Sequence, residues 1–82
     1  MEKKLDGRRL ASREEAMAYL TQALDLPGWW GRNLDALYDL LTELTLSLTV
    51  EDLVETPFSQ KLRRTLEEAE EDNPRLKVTF TP

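Results

Sequence analysis

The chain has 82 residues, 40% of them hydrophobic, and 11 Lys plus Arg against 16 Asp plus Glu give a formal net charge of −5. So short a chain buries only about 60–65% of its unfolded surface, which leaves room for one core and one domain, residues 1–82. With no Cys and no His, it lacks disulfides, a thiolate nucleophile, Cys-ligated zinc, the commonest general base and the commonest metal ligand.

The acidic balance argues against direct nucleic-acid binding, which takes clustered Lys and Arg, and it fits a basic partner better. Met1-Glu2-Lys3-Lys4-Leu5 leads into charged residues, not the apolar stretch of a secretory signal. No run of about 18 apolar residues offers a membrane span. A cytoplasmic protein is the expectation.

Lys3 to Leu10 reads as a short charged strand broken by the turn dipeptide Asp6-Gly7. Ser12-Arg13-Glu14-Glu15 has the pattern of a capping box, in which serine and glutamate each satisfy an end amide. Ala16, Met17, Leu20, Ala23 and Leu24 then recur at helical spacing, predicting a helix from Arg13 to Asp25 ended by Pro27-Gly28. Trp29-Trp30-Gly31-Arg32 is a loop. Asn33 is a good N-cap, Asp35 suits the first turn of a helix, and Leu34, Leu37, Leu40, Leu41 and Leu44 form one stripe. A second helix from Leu34 to Leu44 follows.

Thr45 to Val50 alternates with period two, a strand pattern. Thr56-Pro57 is a cap followed by proline at the first helical position. Phe58, Leu62, Leu66 and Ala69 make a narrow stripe on a third helix ending near Asp72, before Asn73-Pro74. Its last turn holds Glu70, Glu71 and Asp72, the wrong sign for a helix C-terminus. Leu76, Val78 and Phe80 alternate with polar residues in a last strand. The order β-α-α-β-α-β implies an α/β fold: a small three-stranded parallel sheet packed with three helices.

The segment Trp29 to Glu43 carries the functional signal. Asp35, Tyr38, Asp39 and Thr42 stand at i, i+3, i+4 and i+7, which puts them on one helical face. Two carboxylates at i, i+4 repel by a few tenths of a kcal/mol, so local stability alone does not select the pair. Taken alone, the face reads as solvated acid near a helix start. Two adjacent tryptophans cannot easily both be buried in so small a core. One packs under the helix, and the other lies beside the acidic face with the composition of an interface centre. The pair reads equally well as covering the edge of a thin core, and the residues alone leave this open.

Leu26-Pro27, two aromatics, Gly31, Asn33-Leu34-Asp35-Ala36-Leu37, an aromatic and Asp39 together resemble the barstar family, intracellular inhibitors of a ribonuclease. The resemblance is strongest over Leu24 to Thr42. Leu66-Glu67-Glu68-Ala69 and the final strand are similar to the family's last helix and strand. The stretch between Val50 and Leu66 is shorter than in the family, so a short extra helix there is expected to be missing.

The resemblance implies a protein that plugs a ribonuclease active site with its second helix and the loop before it. It implies that Asp39 takes the place of an RNA phosphate against a cluster of Arg, Lys or His. Asp35 would pair with an Arg or accept backbone amides at the pocket edge, and Trp29 would stack on the enzyme's catalytic base. Asn33, in the same motif, is counted with them among the partner-binding residues. Tyr38 and Thr42 would fill the surrounding surface, and Glu68 would add a rim charge from the third helix. Tyr38 stands where the family has tryptophan, Trp30 where it has tyrosine, and Glu43 where it has glycine. These departures bear on which nuclease is the target.

The partner expected is therefore a small basic ribonuclease or a similar basic protein, bound by a monomer, with no nucleic acid, membrane, metal or cofactor. A second reading keeps the fold and makes the chain an acidic binding module for another basic protein, without ribonuclease inhibition. Catalysis is disfavoured. Two aspartates on one helix offer too few oxygens for a hard cation, a glycosidase pair must flank a cleft, and Gly7, Gly28 and Gly31 build no phosphate loop.

Overall fold

A computed structural model describes residues 1–82. The period-two segment forms the central strand β2, Leu46–Glu51, with β1, Glu2–Asp6, and β3, Leu76–Thr81, on either side. Both neighbours run parallel to β2, in register Leu5↔Val50↔Phe80 and Lys3↔Leu48↔Val78. Alternation puts Leu46, Leu48 and Val50 on one face, where all three are buried. Ser47, Thr49, Lys4, Lys77 and Thr79 share the other face, which stays polar and less buried. Strand β2 thus buries one face against helices and leaves the other wet, a pattern commoner in antiparallel sheets.

The helices are α1, Arg13–Ala23, α2, Leu34–Leu41, and α3, Pro57–Asp72, so the element order and the α/β class are as the sequence predicts. Leu20, Leu37, Leu41, Leu62 and Leu66 bury against the leucines of the sheet. Each such side chain contributes about 1.5–3 kcal/mol. No helix between Val50 and α3 intervenes, as the shortened segment implies. No helix is long and apolar enough to cross a membrane.

Four local expectations are corrected. The first strand stops at Asp6, and Gly7–Leu10 forms a 3-10 turn with no positive-φ glycine. Asp6 caps that turn by accepting from Arg8 N–H at 3.0 Å. Gly7 is needed for space: a Cβ there would lie 2.5 Å from the backbone of Leu53 and 2.6 Å from the carbonyl oxygen of Glu51.

The capping box at Ser12 is only half made. Ser12 Oγ accepts from Glu15 N–H at 3.4 Å, while the Glu15 carboxylate turns to Arg9 at 3.5 Å. The reciprocal box occurs instead at Thr56 and Ser59, with bonds of 3.0 and 2.8 Å.

Helix α1 ends at Ala23, two residues early, and Asp25 turns the chain with φ 52°. Helix α2 ends at Leu41, three residues early. There the buried side chain of Asn73 donates from Nδ2 to the carbonyls of Leu41 and Leu44 at 2.9 and 2.8 Å. A helix end leaves carbonyls without partners. Asn73, beyond the end of α3, satisfies one of them, that of Leu41, and also the carbonyl of Leu44 in the turn that follows.

The acidic end of α3 also finds its reason in tertiary contacts. Glu70 Oε2 accepts from Val78 N–H on β3 at 2.7 Å, and Asp72 Oδ2 accepts from the Tyr38 hydroxyl on α2. Each bond engages a carboxylate that helix-dipole arguments alone disfavour.

Candidate functional site

The loop ahead of α2 is fixed from beneath. Trp30 is 4% exposed and Trp29 is 82% exposed. Trp30 Nε1 donates to Thr21 Oγ1 at 2.8 Å, and that hydroxyl donates to the Met17 carbonyl at 2.7 Å. Trp30 N–H also closes a turn onto the Pro27 carbonyl at 3.0 Å. One tryptophan is therefore the anchor, and its neighbour is turned out to solvent.

Asn33 caps α2. Its Oδ1 accepts from Ala36 N–H at 2.7 Å and its Nδ2 donates to the Gly31 carbonyl at 3.1 Å. Its side chain is thus engaged within its own chain, holding the loop to the helix.

Asp35 and Asp39 are exposed, and neither is ion-paired within the chain. Tyr38 and Thr42, expected on the same open face, are half-buried. Tyr38 leans onto α3, where its hydroxyl donates to Asp72. Thr42 Oγ1 donates to the Asp39 carbonyl at 2.8 Å and closes the last turn of the helix.

The residues divide between two shallow depressions. Asp39 shares one of about 210 Å³ with Trp29, Trp30, Gly31, Ala36 and Leu40. Its walls are mostly apolar, with one carboxylate at the edge. Asp35 shares the other, of about 190 Å³, with Leu34, Tyr38, Thr65 and Glu68. Glu68 therefore comes from α3 to the side of Asp35. Three exposed carboxylates thus line the two depressions, Asp39 in one beside the exposed Trp29, and Asp35 with Glu68 in the other. No group of three or more carboxylates is placed to hold a metal ion.

Asp72 is the residue that helical periodicity did not single out here. Its hydrogen bond to Tyr38, its own charge and the nearby charges of Glu68 and Asp39, together with some desolvation, push the Tyr38 hydroxyl above the usual tyrosine range. A group raised on folding contributes stability that is full below the unfolded value, about 10, and lost as pH rises through the folded value. Unfolding experiments in urea should therefore show stability falling above about pH 10. Tyr38→Phe should flatten that fall, and an unchanged alkaline slope would mean that the bond to Asp72 contributes nothing.

A three-stranded parallel sheet in the order β1-β2-β3, carrying helices in the order β-α-α-β-α-β, defines a small α/β protein with an acidic helix at its surface. The chain belongs to the barstar family: the family model described as Barstar (barnase inhibitor) matches residues 1–80. No curated protein matches the chain.

Proposed function

We propose that this protein inhibits a small basic ribonuclease by occupying its substrate groove with α2 and the loop before it. Asp39 presents a carboxylate where an RNA phosphate would lie and meets the enzyme's Arg, Lys or His cluster. Asp35 engages an Arg or backbone amides at the edge, Trp29 stacks on the catalytic base, and Tyr38, Thr42 and Glu68 complete the contact surface. Asn33 holds the loop that carries Trp29. Residues 1–82 act as one domain, as a monomer in the cytoplasm, without catalysis of their own.

The observation that supports the reading is the pair of outward, unpaired carboxylates on α2 of a chain matched to this family. Their chemistry fits the role: carboxylate–guanidinium bonds are stronger than neutral ones, and opposite net charges speed encounter.

The test is titration against barnase and a panel of other small basic ribonucleases. Loss of RNA cleavage at a one-to-one ratio is expected for at least one enzyme. Its association rate should fall steeply between 0.1 and 1 M salt, as the screening length drops from about 10 to about 3 Å. Binding without inhibition would favour the second reading, a module for another basic partner. No binding across the panel would overturn the first.

A further inference from the structure

Helix α1 and Arg32 form an open groove of about 430 Å³ lined by Arg13, Glu14, Met17, Ala18 and Arg32. Arg13 and Arg32 come from segments 19 positions apart in sequence. Both are exposed, and neither makes an ion pair, as is also true of Lys4, Lys61, Arg64, Arg75 and Lys77; what sets the two apart is that they line one groove. In a chain of net charge −5, two guanidinium groups thus line one groove against a single carboxylate, Glu14, which is bonded to neither. Arg32 takes the left-handed conformation, φ 49°, just ahead of the α2 cap. Gly31 lines the Asp39 depression and Arg32, the next residue, lines the groove. Adjacent Cα atoms lie about 3.8 Å apart. An interface of ordinary size covers about 800 Å² on each partner, enough to span both.

We infer that the Arg13–Arg32 groove receives an acidic side chain of the same protein partner that α2 engages. This rests on the reading of the α2 face as a binding site. The occupant follows from the chemistry. Guanidinium groups offer forked donors matched to a carboxylate, and the apolar lining of Met17 and Ala18 suits the methylenes of a glutamate. The surrounding negative charge repels a polyanion such as RNA, while a single carboxylate on a basic protein arrives with its attraction to α2 intact. The groove then adds selectivity. A basic enzyme with an acidic residue beside its cation cluster is accepted, and one with a further cation there meets two like charges.

The experiment uses the full chain and whichever ribonuclease of the panel it inhibits, with isothermal titration for Kd. Arg13→Glu with Arg32→Glu takes the net charge from −5 to −9, two units for each reversal. Lys4→Glu with Lys77→Glu makes the same change on the open face of the sheet. Greater negative charge by itself speeds encounter with a basic partner, so only a local contact makes the first pair bind less well. The groove pair is expected to raise Kd about tenfold or more, and the sheet pair to leave it unchanged or lower. Arg13→Gln with Arg32→Gln should give a smaller loss in the same direction, which guards against misfolding of the reversed pair.

A double-mutant cycle should couple Arg32 to one acidic residue of the enzyme. Equal effects of the two reversed pairs, or no effect of the groove pair while Asp39→Ala still weakens binding, would overturn the inference and leave the α2 reading standing. No effect of Asp39→Ala would overturn the α2 reading, and the inference with it.

Discussion

Asp39→Ala is expected to weaken the complex by about 2–5 kcal/mol, the general range for truncating one partner of a buried, hydrogen-bonded charge pair, to which measurements on the barnase–barstar pair themselves contribute. The loss should appear mainly as faster dissociation. Asp39 stands alone at the rim of the depression it shares with Trp29 and Leu40. In the proposed complex, a cation cluster meets this carboxylate away from water, and removing it leaves buried positive charge without a partner. The fold should not suffer. Asp39 is exposed and unpaired in the free protein, and its removal relieves repulsion with Asp35 one turn away. Glu2→Ala, on β1, and Glu15→Ala, on α1, lie outside the proposed contacts, are the comparison and should each change Kd little. Surface plasmon resonance on the three variants decides the matter. Equal, small losses would mean that the α2 face is not the contact.

The second large effect falls on stability and separates two adjacent residues of identical type. Trp30→Ala should cost about 3–5 kcal/mol, the usual price of emptying a buried aromatic site. A domain of this size has a total of roughly 4–12 kcal/mol to lose. Trp30 packs in the core, and its indole N–H holds Thr21, so its loss also frees the loop that presents Trp29. Trp29→Ala should stay within about 0.5 kcal/mol in stability while weakening the complex. Urea unfolding measured beside Kd gives the contrast. Similar unfolding midpoints for the two variants would contradict the division of labour between anchor and exposed ring.

The parts of the fold legible in the sequence are those fixed by neighbours a few residues apart. The alternation through Thr45–Val50 placed β2 within one residue, and Thr56-Pro57 placed the start of α3, since strand pleat and helix cap are local geometry. The early end of α2 was not legible, because Asn73 decides it from 32 positions away. The half-made cap at Ser12 has the same origin: Glu15 is drawn to Arg9 on the preceding turn.

Within the candidate site, periodicity put Asp35 and Asp39 on one face, and the structure has both exposed. It could not show that Tyr38 bends toward Asp72 or that Glu68 lines the same depression as Asp35, since both depend on how α2 packs against α3. Nor could spacing bring Arg13 and Arg32 to one groove. That meeting depends on where the loop lands after Trp30 is buried.

The clasp of Asn73 on the end of α2 bears on when the aspartates become available. Helix α2 has only 8 residues, well under the roughly 12–15 that an isolated helix needs to persist in water. Excised as a peptide, the segment would be coil, with its two carboxylates in no fixed relation. During synthesis the same holds until α3 and the asparagine beyond it have left the ribosome. A nascent chain would therefore be inert toward the proposed target until synthesis had passed Asn73.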